Sequence, residues 1–115
     1  MEQLRMIMNL LPEILNYGLD LSMEFGENWL KPINQRLHNK FPNLNSFELE
    51  EYNLACKEVN RIANNFVFEN PVKNENELNF VDFSVFENFM KQKYYWISIE
   101  NTKRLYNQSC YYAYK

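Results

Sequence analysis

Asp20, Glu24 and Glu27 stand at i, i+4 and i+7, so on a helix they share one face. Three carboxylates on one face can offer oxygen ligands to a divalent cation. A solvated acidic face is the preferred reading, because the chain holds a single histidine, His38, and no metal-ligand motif. A di-iron bundle needs Glu-x-x-His on two helices, which one histidine cannot supply. Cys56 with His38 would be a nucleophile and its base. Cys56, however, falls in the middle of an apolar stripe, where burial keeps a thiol protonated and inert. His38 suits a helix C-terminus, where a cation meets the negative end of the dipole. Ser98 has no G-x-S-x-G around it. Two glycines are too few for a phosphate-cradling loop or a dinucleotide fingerprint. No residue is therefore assigned to catalysis, to a metal or to a cofactor, and an enzyme is not expected.

The charge distribution says more. Residues 1–87 carry 7 Lys+Arg and 14 Asp+Glu, a sum of −7. Residues 88–115 carry Lys91, Lys93, Lys103, Arg104 and Lys115 against Glu100 alone, a sum of +4. The formal net charge of −3 thus hides two opposed parts. The basic part also holds Phe89, Tyr94, Tyr95, Trp96, Tyr106, Tyr111, Tyr112 and Tyr114. The simplest reading makes these aromatics core and lets the basic end pair with the chain's own acidic helices. Tyr, Trp and Arg are also the residues that anchor protein interfaces, which singles out Trp96, Arg104, Tyr111, Tyr112 and Tyr114 as partner-binding candidates. Cations among stackable rings also suit single-stranded nucleic acid, with Lys91, Lys93, Lys103 and Arg104 as the contacts. A pI near 5.2 speaks against a general nucleic-acid binder. A tyrosine-rich end left open to water calls for a cover, either the bundle itself or a second copy related by a two-fold axis.

These side chains need elements to hold them. Prolines fall at positions 12, 32, 42 and 71, and between them the apolar spacing is mostly helical. A first helix is expected from Pro12 to Phe25, with Leu10, Ile14, Tyr17, Leu21 and Phe25 inward and Gly26 as its end. An extra turn from Glu2 could precede it. Asn28 caps a second helix from Trp29 to Lys40, with Leu30, Ile33 and Leu37 inward. After a turn at 41–44, Asn45 and Glu48 read as a capping box. The third helix runs from Ser46 to Glu69, with Leu49, Tyr52, Cys56, Val59, Ala63 and Phe66 at alternating steps of three and four. Its polar face is read as Glu50, Glu51, Lys57, Asn60, Arg61 and Asn64. Residues 70–79 read as a solvated loop. Asp82 caps a fourth helix from Phe83 to Tyr95, for which a strand is the competitor. Ser98 caps a fifth from Ile99 to Ala113, with Thr102, Leu105, Tyr106, Ser109, Tyr112 and Ala113 inward. No hairpin signal of the NG or DG type and no repeat of 20–50 residues is found.

The expected fold is all-α, a single-domain bundle of four to five amphipathic helices over residues 1–115. The first residues lack the unbroken apolar run of a secretory signal, and no window reaches the ~18 apolar residues that span a bilayer. A cytoplasmic setting follows, with Cys56 and Cys110 as thiols. The leading functional expectation is a protein-interaction or regulatory module acting through the C-terminal aromatic and basic surface. Nucleic-acid association through residues 88–115 and a small-ligand or enzymatic cavity between helices are the alternatives.

Overall fold

The computed structural model describes residues 10–24, 31–74 and 77–114. Among them are five helices, α1 (Pro12–Ser22), α2 (Asn34–Lys40), α3 (Ser46–Glu69), α4 (Phe83–Lys93) and α5 (Ile99–Tyr114). The fold is all-α, with one addition. An antiparallel hairpin of β1 (Pro71–Asn74) and β2 (Glu77–Phe80) stands where a loop is expected, in the register Pro71↔Phe80 to Asn74↔Glu77. The pairing satisfies backbone groups directly, so it needs no apolar alternation to announce it. The chain divides into two units, residues 1–59 and 60–115.

In the first unit, α1 begins at Pro12, which lacks the N–H that a first turn leaves unpaired. It ends at Ser22, with the Met23 N–H donating to the Asp20 carbonyl and the Glu24 N–H to the Leu21 carbonyl, each at 3.2 Å. Its inner face is Ile14, Leu15, Gly18, Leu19 and Ser22. The expected stripe is therefore corrected by a rotation of the helix. Tyr17 is exposed and Leu21 half-buried, while Phe25 and Gly26 lie outside the described residues, as do Glu2, Asn28, Trp29 and Leu30. The helix turns its smallest side chain inward because the backbone approaches closely there: a Cβ on Gly18 would meet Ile33 Cδ1 at 3.0 Å and Cys56 Sγ at 3.2 Å.

Helix α2 starts at Asn34 with Ile33 as its N-cap (φ −91°, ψ −2°), so the expected helix from Trp29 is corrected: residues 31–33 are not part of it. Buried Asn53 takes the Ile33 N–H on its Oδ1 at 3.1 Å, fixing the entry to this helix. The Asn45–Glu48 capping box is present in both directions. The Glu48 N–H donates to Asn45 Oδ1 at 2.8 Å, and the Asn45 N–H donates to Glu48 Oε1 at 2.9 Å. Helix α3 then runs over the expected 24 residues, with Leu49, Tyr52, Cys56, Val59, Ala63 and Val67 buried. The Tyr52 hydroxyl accepts the Leu11 N–H at 3.0 Å, and the Cys56 thiol donates to the Leu15 carbonyl at 3.7 Å.

Burial pushes the Cys56 thiol up to about 12 and also raises the Tyr52 phenol. The fold holds both groups protonated. For Cys56 that contribution is intact below the ordinary value of 9.0 and is lost as pH climbs towards about 12. Denaturant midpoints are therefore expected to fall between these values, and to fall less in Cys56→Ala. Native Cys56 is expected to resist a thiol reagent at about pH 8 until the chain is unfolded.

The second unit contains the end of α3, the hairpin, α4 and α5. Phe66 of α3 stacks on Phe89 of α4 with centroids 4.0 Å apart, and Phe86 packs edge-tilted on both Phe66 and Tyr106. Phe86, Met90 and Leu105 are fully buried. Aromatic density in α4 thus reflects a ring-lined interior and not a strand.

One local construction occurs in both units. Helix α2 ends at Phe41 (φ −124°, ψ 74°), and α4 ends at Tyr94 (φ −135°, ψ 81°). The N–H of each ring residue donates four positions back, to Leu37 O at 2.9 Å and to Met90 O at 2.7 Å. Three positions on, the Leu44 N–H donates to Phe41 O and the Ile97 N–H to Tyr94 O. A polar cap follows in each case, Asn45 to the Glu48 N–H and Ser98 to the Asn101 N–H. The two helix–turn–helix segments are offset by 53 positions, from Lys40 to Lys93, and that lysine is their only identity over 37–49 and 90–102.

Candidate interaction surface

The basic aromatic segment is organised by the turn at 94–98 and by α5. Within the turn the side chains separate sharply. Tyr94, Trp96 and Ile97 are buried at 7–8% exposure, whereas Tyr95 is 79% exposed. The Tyr94 and Trp96 rings meet edge-on, 6.0 Å between centroids. Trp96, a partner-binding candidate by residue type, thus lies inward, and Tyr95 takes the outward place. The turn that carries them is closed by the Ile97 N–H donating to the Tyr94 carbonyl at 3.2 Å.

Helix α5 is held from one side by Leu105 and by polar clamps. Thr102 Oγ1 donates to the Ser98 carbonyl, Gln108 Nε2 to Asn60 Oδ1 and Ser109 Oγ to Asn64 Oδ1, each at 2.8 Å. The Tyr106 hydroxyl donates to the Val81 carbonyl at 2.7 Å. Burial raises both the Tyr106 phenol and the Cys110 thiol. Asn60, expected on the polar face of α3, is corrected to a buried position, as is Gln108 on α5. Their amides satisfy each other, which is what burial of such groups demands.

The opposite side of α5 presents Ile99, Lys103, Asn107 and Tyr111, all exposed and four residues apart. Ile99 is 42% and Tyr111 54% exposed. Such an i, i+4 row is a ridge of the kind that enters a groove on a neighbouring helix. It is about 18 Å long. Tyr111 contacts Tyr112 edge-on at 6.0 Å, and Tyr112 is half-buried. Arg104 is half-buried, beside the ridge, and the side chain of Tyr114 lies outside the described residues. Lys91, Lys93 and Lys103 are exposed, and Lys91 pairs with Glu87 at 3.7 Å. The structure therefore brings Lys103 and Tyr111 onto one ridge, with Tyr95 exposed in the turn that leads into it.

The other candidate chemistry is dispersed. Glu24 is taken by Arg36 at 2.8 Å, Asp20 is exposed, and Glu27 lies outside the described residues. Among the described residues no group of three or more His, Cys, Asp or Glu is placed to hold a metal ion. A surface depression of about 370 Å³ is lined by Ser84, Val85, Glu87, Asn88 and Lys91, all from α4. Among the described residues no helix is long and apolar enough to cross a membrane. No family model matches the chain, and neither a curated protein nor a solved structure matches it.

Proposed function

We propose that this chain is a protein-interaction module that docks a partner on Tyr95 and the outer ridge of α5. The carrying observation is the 79% exposure of Tyr95 beside two aromatic neighbours that are buried. Folding does not need a ring at that position, whereas an interface gains a large, stiff contact area from one. Lys103 lies on the ridge, within a segment whose charge sum is positive, so the complementary partner carries an acidic rim around an apolar patch. A cytoplasmic setting belongs to this reading, with Cys56 and Cys110 kept as thiols.

Tyr95→Ala, Tyr111→Ala and Lys103→Glu are each expected to weaken capture of the partner tenfold or more with an unchanged melting temperature. Asn88→Ala on α4 is expected to leave capture intact. Equal capture by all four variants would remove the reading. The exposure of Lys91, Lys93 and Lys103 keeps nucleic acid as the second reading. A gel shift of a single-stranded oligonucleotide that vanishes as salt rises would favour it.

A further inference from the structure

Helix α5 does not bury its most apolar side. Among its described residues five are buried, Asn101, Thr102, Leu105, Gln108 and Ser109, and of these only Leu105 is apolar. The apolar spacing predicts Tyr106 and Ala113 inward, yet both are half-buried, as is Cys110, and Ile99 is exposed. The helix is thus rotated toward Asn101 and Gln108 and away from Tyr106, Cys110 and Ala113. Burial of apolar surface favours the opposite rotation, so something directional holds this one.

That hold comes from α3. Gln108 Nε2 donates to Asn60 Oδ1 and Ser109 Oγ to Asn64 Oδ1, each at 2.8 Å. Asn60 and Asn64 are four residues apart, so they share one face of α3 and offer two acceptors in a row. Their donors are adjacent residues of α5. Two bonds to two fixed points set both the rotation and the register of a helix. Asn60, Gln108 and Ser109 are buried, where a bond left unmade is costly. A third bond, from the Tyr106 hydroxyl to Val81, comes from a long side chain and constrains rotation less.

We propose that Asn60 and Asn64 are positioning residues, which set the rotation of α5 and with it the side chains that stand on its outer ridge. The consequence for docking rests on the reading of that ridge as the partner surface. Without the two clamps α5 turns back toward its apolar side. Tyr106, Cys110 and Ala113 then move inward, while Asn101 and Gln108 move out. The ridge of Ile99, Lys103, Asn107 and Tyr111 is no longer presented as a unit.

The Cys110 thiol reports this rotation within the full chain, by its rate of modification with a maleimide and location of the label by mass spectrometry. Asn60→Leu with Gln108→Leu removes one clamp from both sides, so neither amide is left unpaired. This pair should label Cys110 roughly fivefold more slowly or less, with a melting temperature held or raised. Asn64→Ala with Ser109→Ala removes the second clamp and should slow labelling in the same way. The exchange Asn60→Gln with Gln108→Asn keeps an amide pair and should restore the native rate, which a role in stability alone does not require. A native or faster rate in the Leu pair and the Ala pair alike would overturn the inference, as would a slowed rate that the exchange does not restore. Capture of the partner should weaken wherever labelling slows. Slower labelling with full capture would keep the rotation and remove the docking reading of the ridge.

Discussion

Phe86→Ala is expected to cost about 3–5 kcal/mol of stability, the usual range for emptying a fully buried phenylalanine site. Phe86 is 0% exposed and is gripped by rings from two other helices, Phe66 at 6.2 Å and Tyr106 at 5.4 Å between centroids. Neither neighbour is free to fill the gap. Phe66 is already stacked on Phe89, and Tyr106 is tied through its hydroxyl to Val81. The cavity therefore stays open, and its lining loses contacts that relaxation cannot restore. Whole domains hold only about 5–15 kcal/mol, so the variant should be partly unfolded at room temperature. Val85→Ala, one position away and 50% exposed, should change stability by less than about 0.5 kcal/mol. Denaturant midpoints compare the two directly. A loss under about 1 kcal/mol for Phe86→Ala would mean that the ring is not a core residue.

Gly18→Val is the second large effect. Only hydrogen occupies the space between the α1 backbone, Ile33 Cδ1 and Cys56 Sγ. Valine brings three carbons to that point, and both neighbours are 1% exposed, with nowhere to retreat. Overpacking of this kind costs about 1–3 kcal/mol or more. The better helix propensity of valine offsets less than about 1 kcal/mol of it. A net loss of roughly 2 kcal/mol is expected, partly recovered by Cys56→Ala, which deletes the sulfur that the new side chain meets. Calorimetry or urea titration of the single and double variants gives the coupling. Full stability of Gly18→Val would show that α1 does not approach this closely.

How much of this was legible depends on the kind of signal. Helix α3 was readable to its ends, because Asn45 and Glu48 mark the start and the apolar steps of three and four continue to Phe66. Helix α1 was readable as a helix but not in its rotation. A face built on Gly18 and Ser22 scores as polar or empty, although close backbone approach is what places it inward. The hairpin at 71–80 escaped because its residues are charged, amide and mixed, without a two-residue glycine turn. The paired helix–turn–helix segments escaped because geometry is shared while only Lys40 and Lys93 agree.

The candidate surface was half legible. Charge and aromatic content pointed to residues 88–115, and Lys103 and Tyr111 do lie outward there. The division between Trp96 and Tyr95 was not legible, since periodicity rules apply to helices and strands and the two lie in a turn.

Photo-crosslinking tests the central claim most directly. A benzoylphenylalanine placed at position 95, 111 or 88 is irradiated in an extract of the chain's own host. An adduct of the same mass from positions 95 and 111, absent from 88 and lost on adding Lys103→Glu, is the expected result. No adduct from 95 and 111, or the same adducts from all three positions, would contradict an interaction surface on the α5 ridge.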